Sequence, residues 1–216
     1  MLRFAEEIIL LLLNDKDGTF ARVPYWSLNY ALAGGVLMDL ALENRIDTDL
    51  ENLVVLDKTP LGDSLLDPTL ANIASDEQRD PKYWVEQTAS HAVVIREEAL
   101  SRLVNNGILE RRDDRFLWVF KSRRYVAIRG DAEREVKLRI MEVLFSDTIP
   151  DPRDVVIICL ADACGIFDKL LTKQELDTAS DRIKQVRQLD LIGQAMSQSI
   201  QDIEMLVTSS VQAHLY

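Results

Sequence analysis

The sequence is poor in the residue types from which metal sites and disulfides are built. It has two cysteines and two histidines, and the histidines, His91 and His214, lie far apart in the chain. Cys159 and Cys164 fall in one apolar run, where α-helical geometry points their side chains in different directions. We therefore predict reduced cysteines in the core of a cytosolic protein, with no disulfide, no metal and no cofactor.

Long apolar runs are also missing. The longest, from Ile8 to Leu13, is too short to span a bilayer, and Glu6 and Glu7 before it do not fit the basic start of a signal peptide. The chain has only 8 Gly and 6 Pro, whereas 47% hydrophobic and 28% charged residues are typical of a folded, helix-rich protein. We expect one helical domain over residues 1–216, soluble or at most peripheral to a membrane.

No catalytic motif can be recognised. The chain has no glycine-rich phosphate loop, no nucleophile elbow and no histidine with an evident nucleophile partner. Its adjacent carboxylates, such as Glu97-Glu98 and Asp113-Asp114, are better explained as solvated surface than as acid–base pairs. We predict no catalytic residues and no enzymatic activity, unless distant residues assemble a site.

Hydrophobic periodicity and turn signals predict a mainly α fold with a central buried helix and one or two β-hairpins. The predicted helices span residues 4–13, 23–44, 63 or 64 to 72, 83–104, 132–145, 153–171 and 172–196, and the tail beyond 197 would continue as another helix. The helix over 153–171 is the most apolar and is predicted to be central. Residues 46–57 suit a β-hairpin, and Ala33-Gly34-Gly35 leaves room for a second helix to approach closely.

The most informative segment is residues 96–120, REEALSRLVNNGILERRDDRFLWVF. A predicted helix ends at Asn105-Asn106-Gly107, and the second arm of the strand pair that follows, residues 116–120, is more apolar than a solvated hairpin needs. Residues 91–130 carry nine Lys/Arg against five Asp/Glu, although the whole chain has a net charge of −11. An apolar hairpin within a positively charged patch is suited to contact an anionic surface. The charge attracts that surface, and the aromatic tip is buried in it.

The same segment fits other interpretations. A helix followed by a charged turn and an apolar strand is also the pattern of a winged helix, but the acidic remainder of the chain would repel a duplex, so we predict no nucleic-acid partner. Strand alternation turns at least one of the apolar hairpin residues towards the core, and Trp118 is as readily a core tryptophan as an interfacial one. The basic side chains could simply solvate the hairpin; they are Arg111, Arg112, Arg115, Lys121, Arg123 and Arg124.

Six segments, taken in chain order, resemble one known family. They are FAEEIILLLLNDKDGTF, LAGGVLMDLALENRI, TPLGDSLLDPTL, LSRLVNNGILERRDDRFLWVF, VVIICLADACGIFDKLL and SDRIKQVRQL. Together they cover about residues 4–190 and resemble the Golgi phosphoprotein 3 family, peripheral proteins that bind phosphatidylinositol 4-phosphate and, in eukaryotes, retain glycosyltransferases in the Golgi. The resemblance implies one mostly helical domain whose apolar hairpin dips into the bilayer beside a shallow pocket for the inositol phosphate.

The resemblance also implies which residues hold the headgroup. The family pocket uses a tryptophan before the second helix, an arginine within that helix, and two arginines three apart on the helix leading to the hairpin. Arg96 is retained, Ala33 and Val93 replace the other arginines, and the tryptophan aligns near Pro24, with Tyr25-Trp26 as displaced substitutes. A charge-assisted hydrogen bond contributes about 1.5–3 kcal/mol, so losing two predicts binding weaker by about a hundredfold or more.

These inferences lead to one set of assignments. We predict headgroup contacts from Trp26, Arg96 and Arg115, and membrane insertion by the hairpin residues Phe116, Leu117 and Trp118. The predicted function is a cytoplasmic, peripherally membrane-associated module that binds an anionic lipid or phosphoinositide. The alternative is a soluble interaction scaffold of the same fold that forms a homo-oligomer through the hairpin without binding lipid. Because the chain starts at the first predicted helix, without the basic tail of eukaryotic members, we expect a minimal bacterial member.

Overall fold

The chain is mainly α-helical in the computed structural model, as predicted, and the model describes residues 1–14, 18–48, 52–114, 122–128 and 130–189. The helices within these ranges are α1 (Phe4–Leu12), α2 (Tyr25–Leu42), α3 (Asp67–Ser75), α4 (Pro81–Ser90), α5 (Ala92–Asn105), α6 (Asp131–Phe145), α7 (Pro152–Ala163), α8 (Phe167–Leu170) and α9 (Lys173–Arg187). The strands are β1 (Ile46–Thr48), β2 (Leu53–Val55), β3 (Leu109–Asp114) and β4 (Ser122–Ala127), which form two antiparallel hairpins, β1–β2 and β3–β4.

Two helices form the centre of the core. Every residue of α1 is buried, and α7 is buried continuously from Val155 to Ala161, which confirms the predicted central helix. The predicted close helix approach is also confirmed, because a Cβ on Gly35 of α2 would lie 3.1 Å from the Cβ of Phe4 in α1. The apolar core extends from these helices to α9, where Val186 is fully enclosed.

Two predicted long helices are each broken in two. The helix predicted over 83–104 stops at Ser90 and restarts at Ala92. The His91 N–H donates to the carbonyl of Thr88, three residues back, at 3.0 Å, and the carbonyl of Gln87 accepts a 2.6 Å hydrogen bond from Ser90 Oγ. The helix predicted over 153–171 ends at Ala163, since Gly165 adopts a left-handed φ of 62° that the helix cannot continue. Cys159 and Cys164 are both buried in the core, as predicted.

The start of α3 is the third correction. Neither Asp63 nor Ser64 caps this helix, which begins at Asp67 with Pro68 in its first turn. The Asp63 carboxylate accepts the Leu65 N–H at 3.0 Å in the turn before the helix. It also accepts hydrogen bonds from Arg3 Nε at 2.9 Å and from Arg102 Nη1 at 2.6 Å, so it ties the loop before α3 to α1 and α5.

Other boundaries agree with prediction to within a few residues. The β1–β2 hairpin pairs Ile46 with Val55, and α6 starts one residue before the predicted position. Helix α9 begins after Thr172, whose hydroxyl accepts the Glu175 N–H while the Glu175 carboxylate accepts the Thr172 N–H, a capping box. The predicted continuation to residue 196 and the predicted tail helix lie outside the described residues beyond 189.

Candidate functional site

The β3–β4 hairpin is anchored in the core at its base. Helix α5 ends as predicted at Asn105-Asn106-Gly107, where Gly107 has a φ of 69° and the Ile108 N–H donates to the carbonyl of Leu103 at 2.9 Å. The strands that follow pair Leu109 with Ala127 and Asp114 with Ser122. Leu109 is fully buried, so the base of the hairpin is anchored in the core.

The segment between α1 and α2, of which residues 13, 14 and 18–24 are described, packs beside the hairpin. Leu13 and Phe20 form an antiparallel bridge, which brings the two ends of this segment together. The Tyr125 N–H of β4 donates a 3.2 Å hydrogen bond to the carbonyl of Gly18. The Phe20 ring meets the Tyr125 ring at a centroid distance of 6.0 Å, and Tyr125 is only 5% exposed.

Arg96 lies next to this contact. Its guanidinium carbon stands 5.4 Å from the centroid of the Phe20 ring, a cation–π geometry, and the residue is partly buried. Within the described ranges, no carboxylate pairs with Arg96, in contrast to Arg102 two turns later. Among the described residues, none neutralises the Arg96 guanidinium, so its positive charge is available to bind an anion.

An exposed apolar side chain stands beside Arg96 on the same face of α5. Val93 lies one turn before Arg96 and is 56% exposed. In the first turn of α2, Tyr25 is 63% exposed and Trp26 is partly buried. The ring against the Arg96 guanidinium is that of Phe20, so contact of Trp26 with a headgroup stays a prediction.

The two positions that the resemblance aligns with family arginines, Ala33 and Val93, have different surroundings. Ala33 has no exposed surface and faces the core, whereas Val93 faces solvent. An arginine at position 33 would need the surrounding helices to move, while one at position 93 would extend into water. The core is therefore packed around the small residue at position 33.

The remaining predicted hairpin residues lie outside the described residues. These are the headgroup candidate Arg115 and the membrane-inserting candidates Phe116, Leu117 and Trp118. The predicted second arm of the hairpin, 116–120, also falls outside the described residues. The described partner of β3 is Ser122–Ala127. Their roles stay predictions.

Two basic residues of the predicted positive patch, Arg102 and Arg112, are paired with carboxylates. Arg102 points inward, where it donates to Asp63 and, at 3.3 Å, to Glu6 Oε1. Arg112 is exposed and donates to Glu110 Oε2 at 3.0 Å. Such a surface ion pair contributes little to stability. The strand register places Arg112 of β3 opposite Arg124 of β4, so both strands of the hairpin carry basic residues.

A cavity of about 460 Å³ lies on the opposite side of α5. Its lining includes Val94, Ile95 and Glu98 of α5 together with Asp76 and Trp84, and none of its lining residues is a lysine or arginine. An anionic headgroup would meet the carboxylates of Asp76 and Glu98 there, and Arg79 beside the cavity is already paired with Asp76 at 3.9 Å. The cavity is therefore unsuited to a phosphate group. The end of α5 that carries Arg96 remains the candidate site for an anion.

Sequence reasoning missed Phe20 as a site residue. The only signal for it was its position at the end of the first family-like segment, directly after the turn residues Gly18 and Thr19. A lone aromatic residue after a turn has many explanations, and only the fold shows that its ring lies between Arg96 and Tyr125.

Membrane-spanning and metal-binding features are not seen in the described ranges. None of the helices there combines the length and apolarity that crossing a bilayer requires. No three His, Cys, Asp or Glu side chains come together there in a way that could hold a metal ion.

Comparison with known proteins gives a consistent result. The family model described as Golgi phosphoprotein 3 (GPP34) matches residues 4–203. Vacuolar protein sorting-associated protein 74 of Eremothecium gossypii is 24% identical over 206 residues, which covers 79% of this chain and 62% of that protein. The protein of the same name from Schizosaccharomyces pombe is 27% identical over 248 residues, 99% of this chain and 72% of its own length. The chain thus spans less than two thirds of the E. gossypii protein.

Proposed function

The chain belongs to the Golgi phosphoprotein 3 family, and on that premise we propose that it is a peripheral membrane protein that binds anionic lipid at the end formed by Arg96 and the β3–β4 hairpin. The headgroup class is a phosphoinositide, as the family resemblance implies, with phosphatidylinositol 4-phosphate as the first candidate. The protein would act at the cytoplasmic face of a membrane.

One observation carries this proposal. Arg96 has its guanidinium supported by an aromatic ring and lies beside an exposed apolar side chain, Val93, without a carboxylate partner in the described ranges. A cation next to apolar surface is what an anionic membrane interface accommodates, because the charge meets the phosphates while the apolar groups enter the headgroup region. The basic residues of the hairpin strands would add long-range attraction.

Vesicle flotation tests the proposal. Vesicles of phosphatidylcholine alone would be compared with vesicles that also contain phosphatidylinositol 4-phosphate, phosphatidylserine, phosphatidylglycerol or cardiolipin. We expect flotation only with the acidic vesicles, because the neutral ones offer no net charge to the hairpin end. A preference for phosphatidylinositol 4-phosphate over the other acidic lipids would identify the headgroup.

Replacing Arg96 makes the test site-specific. Arg96→Ala should lower the affinity for acidic vesicles by about tenfold or more, the equivalent of one lost charge-assisted hydrogen bond. Arg79→Ala is the matched control, because Arg79 also lies over an aromatic ring, at 5.2 Å from that of Tyr83, but on the cavity side of α5.

Two results would contradict the proposal. Equal flotation of wild type and Arg96→Ala would exclude the Arg96 site. Absence of flotation, together with a homo-oligomer in light scattering that Trp118→Ala dissociates, would favour the soluble scaffold that uses the hairpin for self-association.

A further inference from the structure

We propose that Phe20 is a positioning residue for Arg96, and that the segment between α1 and α2 thereby sets the direction of the lipid-binding guanidinium relative to the hairpin. This inference rests on the proposed function, since it assigns how the lipid-contacting arginine is held. It extends the site to a part of the chain that precedes α5 by more than seventy residues.

The first step concerns the arginine. A long arginine side chain at a surface samples many rotamers, and ordering it on a headgroup costs conformational entropy. In this chain the Arg96 guanidinium already lies over the Phe20 ring, at 5.4 Å from its centroid. A guanidinium held there by the ring loses less freedom when it binds phosphate, while its outward N–H groups stay available as donors.

The second step concerns the ring, which is itself held in place. Backbone hydrogen bonds close the segment on both sides of Phe20: the Ala21 N–H donates to the carbonyl of Leu12 and the Asn14 N–H to that of Thr19, both at 2.7 Å. The Lys137 ammonium of α6 donates to the carbonyl of Leu13 at 2.5 Å. The position of Phe20 is therefore determined by α1 and α6, not by Arg96.

The third step joins the ring to the hairpin. The Phe20 ring contacts that of Tyr125 in β4, and the carbonyl of Gly18 accepts the Tyr125 N–H at 3.2 Å. The same segment thus contacts Arg96 on α5 and the hairpin at once. A headgroup on Arg96 and a hairpin in the bilayer would then meet one membrane surface at a fixed relative height.

The test removes the aromatic face but keeps the apolar bulk. Phe20→Leu should weaken binding to vesicles that contain phosphatidylinositol 4-phosphate or phosphatidylglycerol by about three- to tenfold, the range expected for one lost cation–π contact. Phe20→Tyr should bind like wild type, because it restores a ring. Tyr83→Leu is the matched control, since it removes the ring beneath Arg79 on the cavity side.

A double variant shows whether Phe20 acts through Arg96. If it does, adding Phe20→Leu to Arg96→Ala should weaken vesicle binding no further than Arg96→Ala alone. Thermal unfolding of each variant would be measured alongside, and Phe20→Tyr should recover binding even if Phe20→Leu lowers Tm, because the ring and not the residue's bulk is what Arg96 needs.

The outcomes separate this inference from the proposed function. Wild-type binding by Phe20→Leu, together with impaired binding by Arg96→Ala, would overturn the positioning role and leave the lipid site intact. Additive losses in the double variant would also overturn it, since the ring would then contact lipid independently of Arg96. Wild-type binding by Arg96→Ala would overturn both proposals.

Discussion

At the scale of single residues, Gly18 carries the contact between the α1–α2 segment and the hairpin. Its φ of 66° lies in the left-handed region, and a Cβ built on it would stand 2.6 Å from the carbonyl oxygen of Tyr125. Gly62 offers a natural comparison, because its φ of 72° is similar and nothing lies within 4 Å of its Cβ position. The two glycines share the backbone requirement and differ in the neighbour.

We expect Gly18→Ala to destabilise the protein more than Gly62→Ala. The control should lose about 1–2 kcal/mol, the cost of a left-handed alanine. Gly18→Ala should lose about a further 1–3 kcal/mol, since a backbone oxygen must move to make room. Urea denaturation of both variants measures the difference, and equal losses would show that the Tyr125 carbonyl yields without cost.

At the scale of elements, buried charges join the helices that form the core. Asp39 of α2 is 1% exposed, and its carboxylate accepts the Phe4 N–H at the start of α1 at 2.7 Å and a guanidinium N–H of Arg153 from α7 at 3.4 Å. Arg153 also donates to Glu7 at 3.0 Å, so one side chain of α7 binds both other helices. Removing either partner of such a group costs more than the pair contributes, because a buried charge is left alone.

The Asp39 carboxyl makes stability depend on pH. Burial raises its pKa to about 6, and the Phe4 N–H and Arg153 offset only part of that rise. The folded state therefore binds this proton more tightly than the unfolded chain, so the contribution of Asp39 to stability falls as pH rises from about 4 to about 6. The difference amounts to about 3 kcal/mol, an order-of-magnitude figure.

Asp39→Asn isolates this effect. The amide oxygen can still accept the Phe4 N–H, but the group no longer titrates. The stability of the variant relative to wild type should improve by about 2–3 kcal/mol between pH 4 and pH 7. Urea denaturation of both proteins across this range measures it, and a constant difference would show that Asp39 does not titrate there.

At the scale of the whole molecule, the charges are divided between interior and surface. Four arginines, Arg3, Arg102, Arg139 and Arg153, are paired with buried or partly buried carboxylates and add little positive potential outside. The net charge is −11, so the surface away from the hairpin is acidic and repels an anionic membrane. Under the proposed function, the protein would therefore approach such a membrane with its hairpin end facing the lipid.

This division predicts a marked salt dependence. Binding to acidic vesicles should weaken as ionic strength rises from about 0.05 M to about 0.5 M, because the Debye length falls from above 10 Å to below 8 Å and screens the attraction. Co-sedimentation with acidic vesicles across this range measures the effect, with neutral phosphatidylcholine vesicles as control. Binding that does not change with salt would mean that apolar insertion alone holds the protein on the membrane.

The sequence by itself determined the mainly α class, most element boundaries, the central buried helix and the close helix approach at Gly35. These features depend on periodicity, turn residues and residue size, which act over a few neighbouring positions. Its charge distribution and family-like segments also indicated Arg96 and the hairpin as the candidate lipid-binding end.

Only the tertiary structure decided which side chains meet across long stretches of chain. It placed Phe20 beneath Arg96, turned Arg102 inward to Asp63 and enclosed Ala33 in the core. Such outcomes follow from contacts between elements that are distant in sequence, and no local pattern of residue types specifies them.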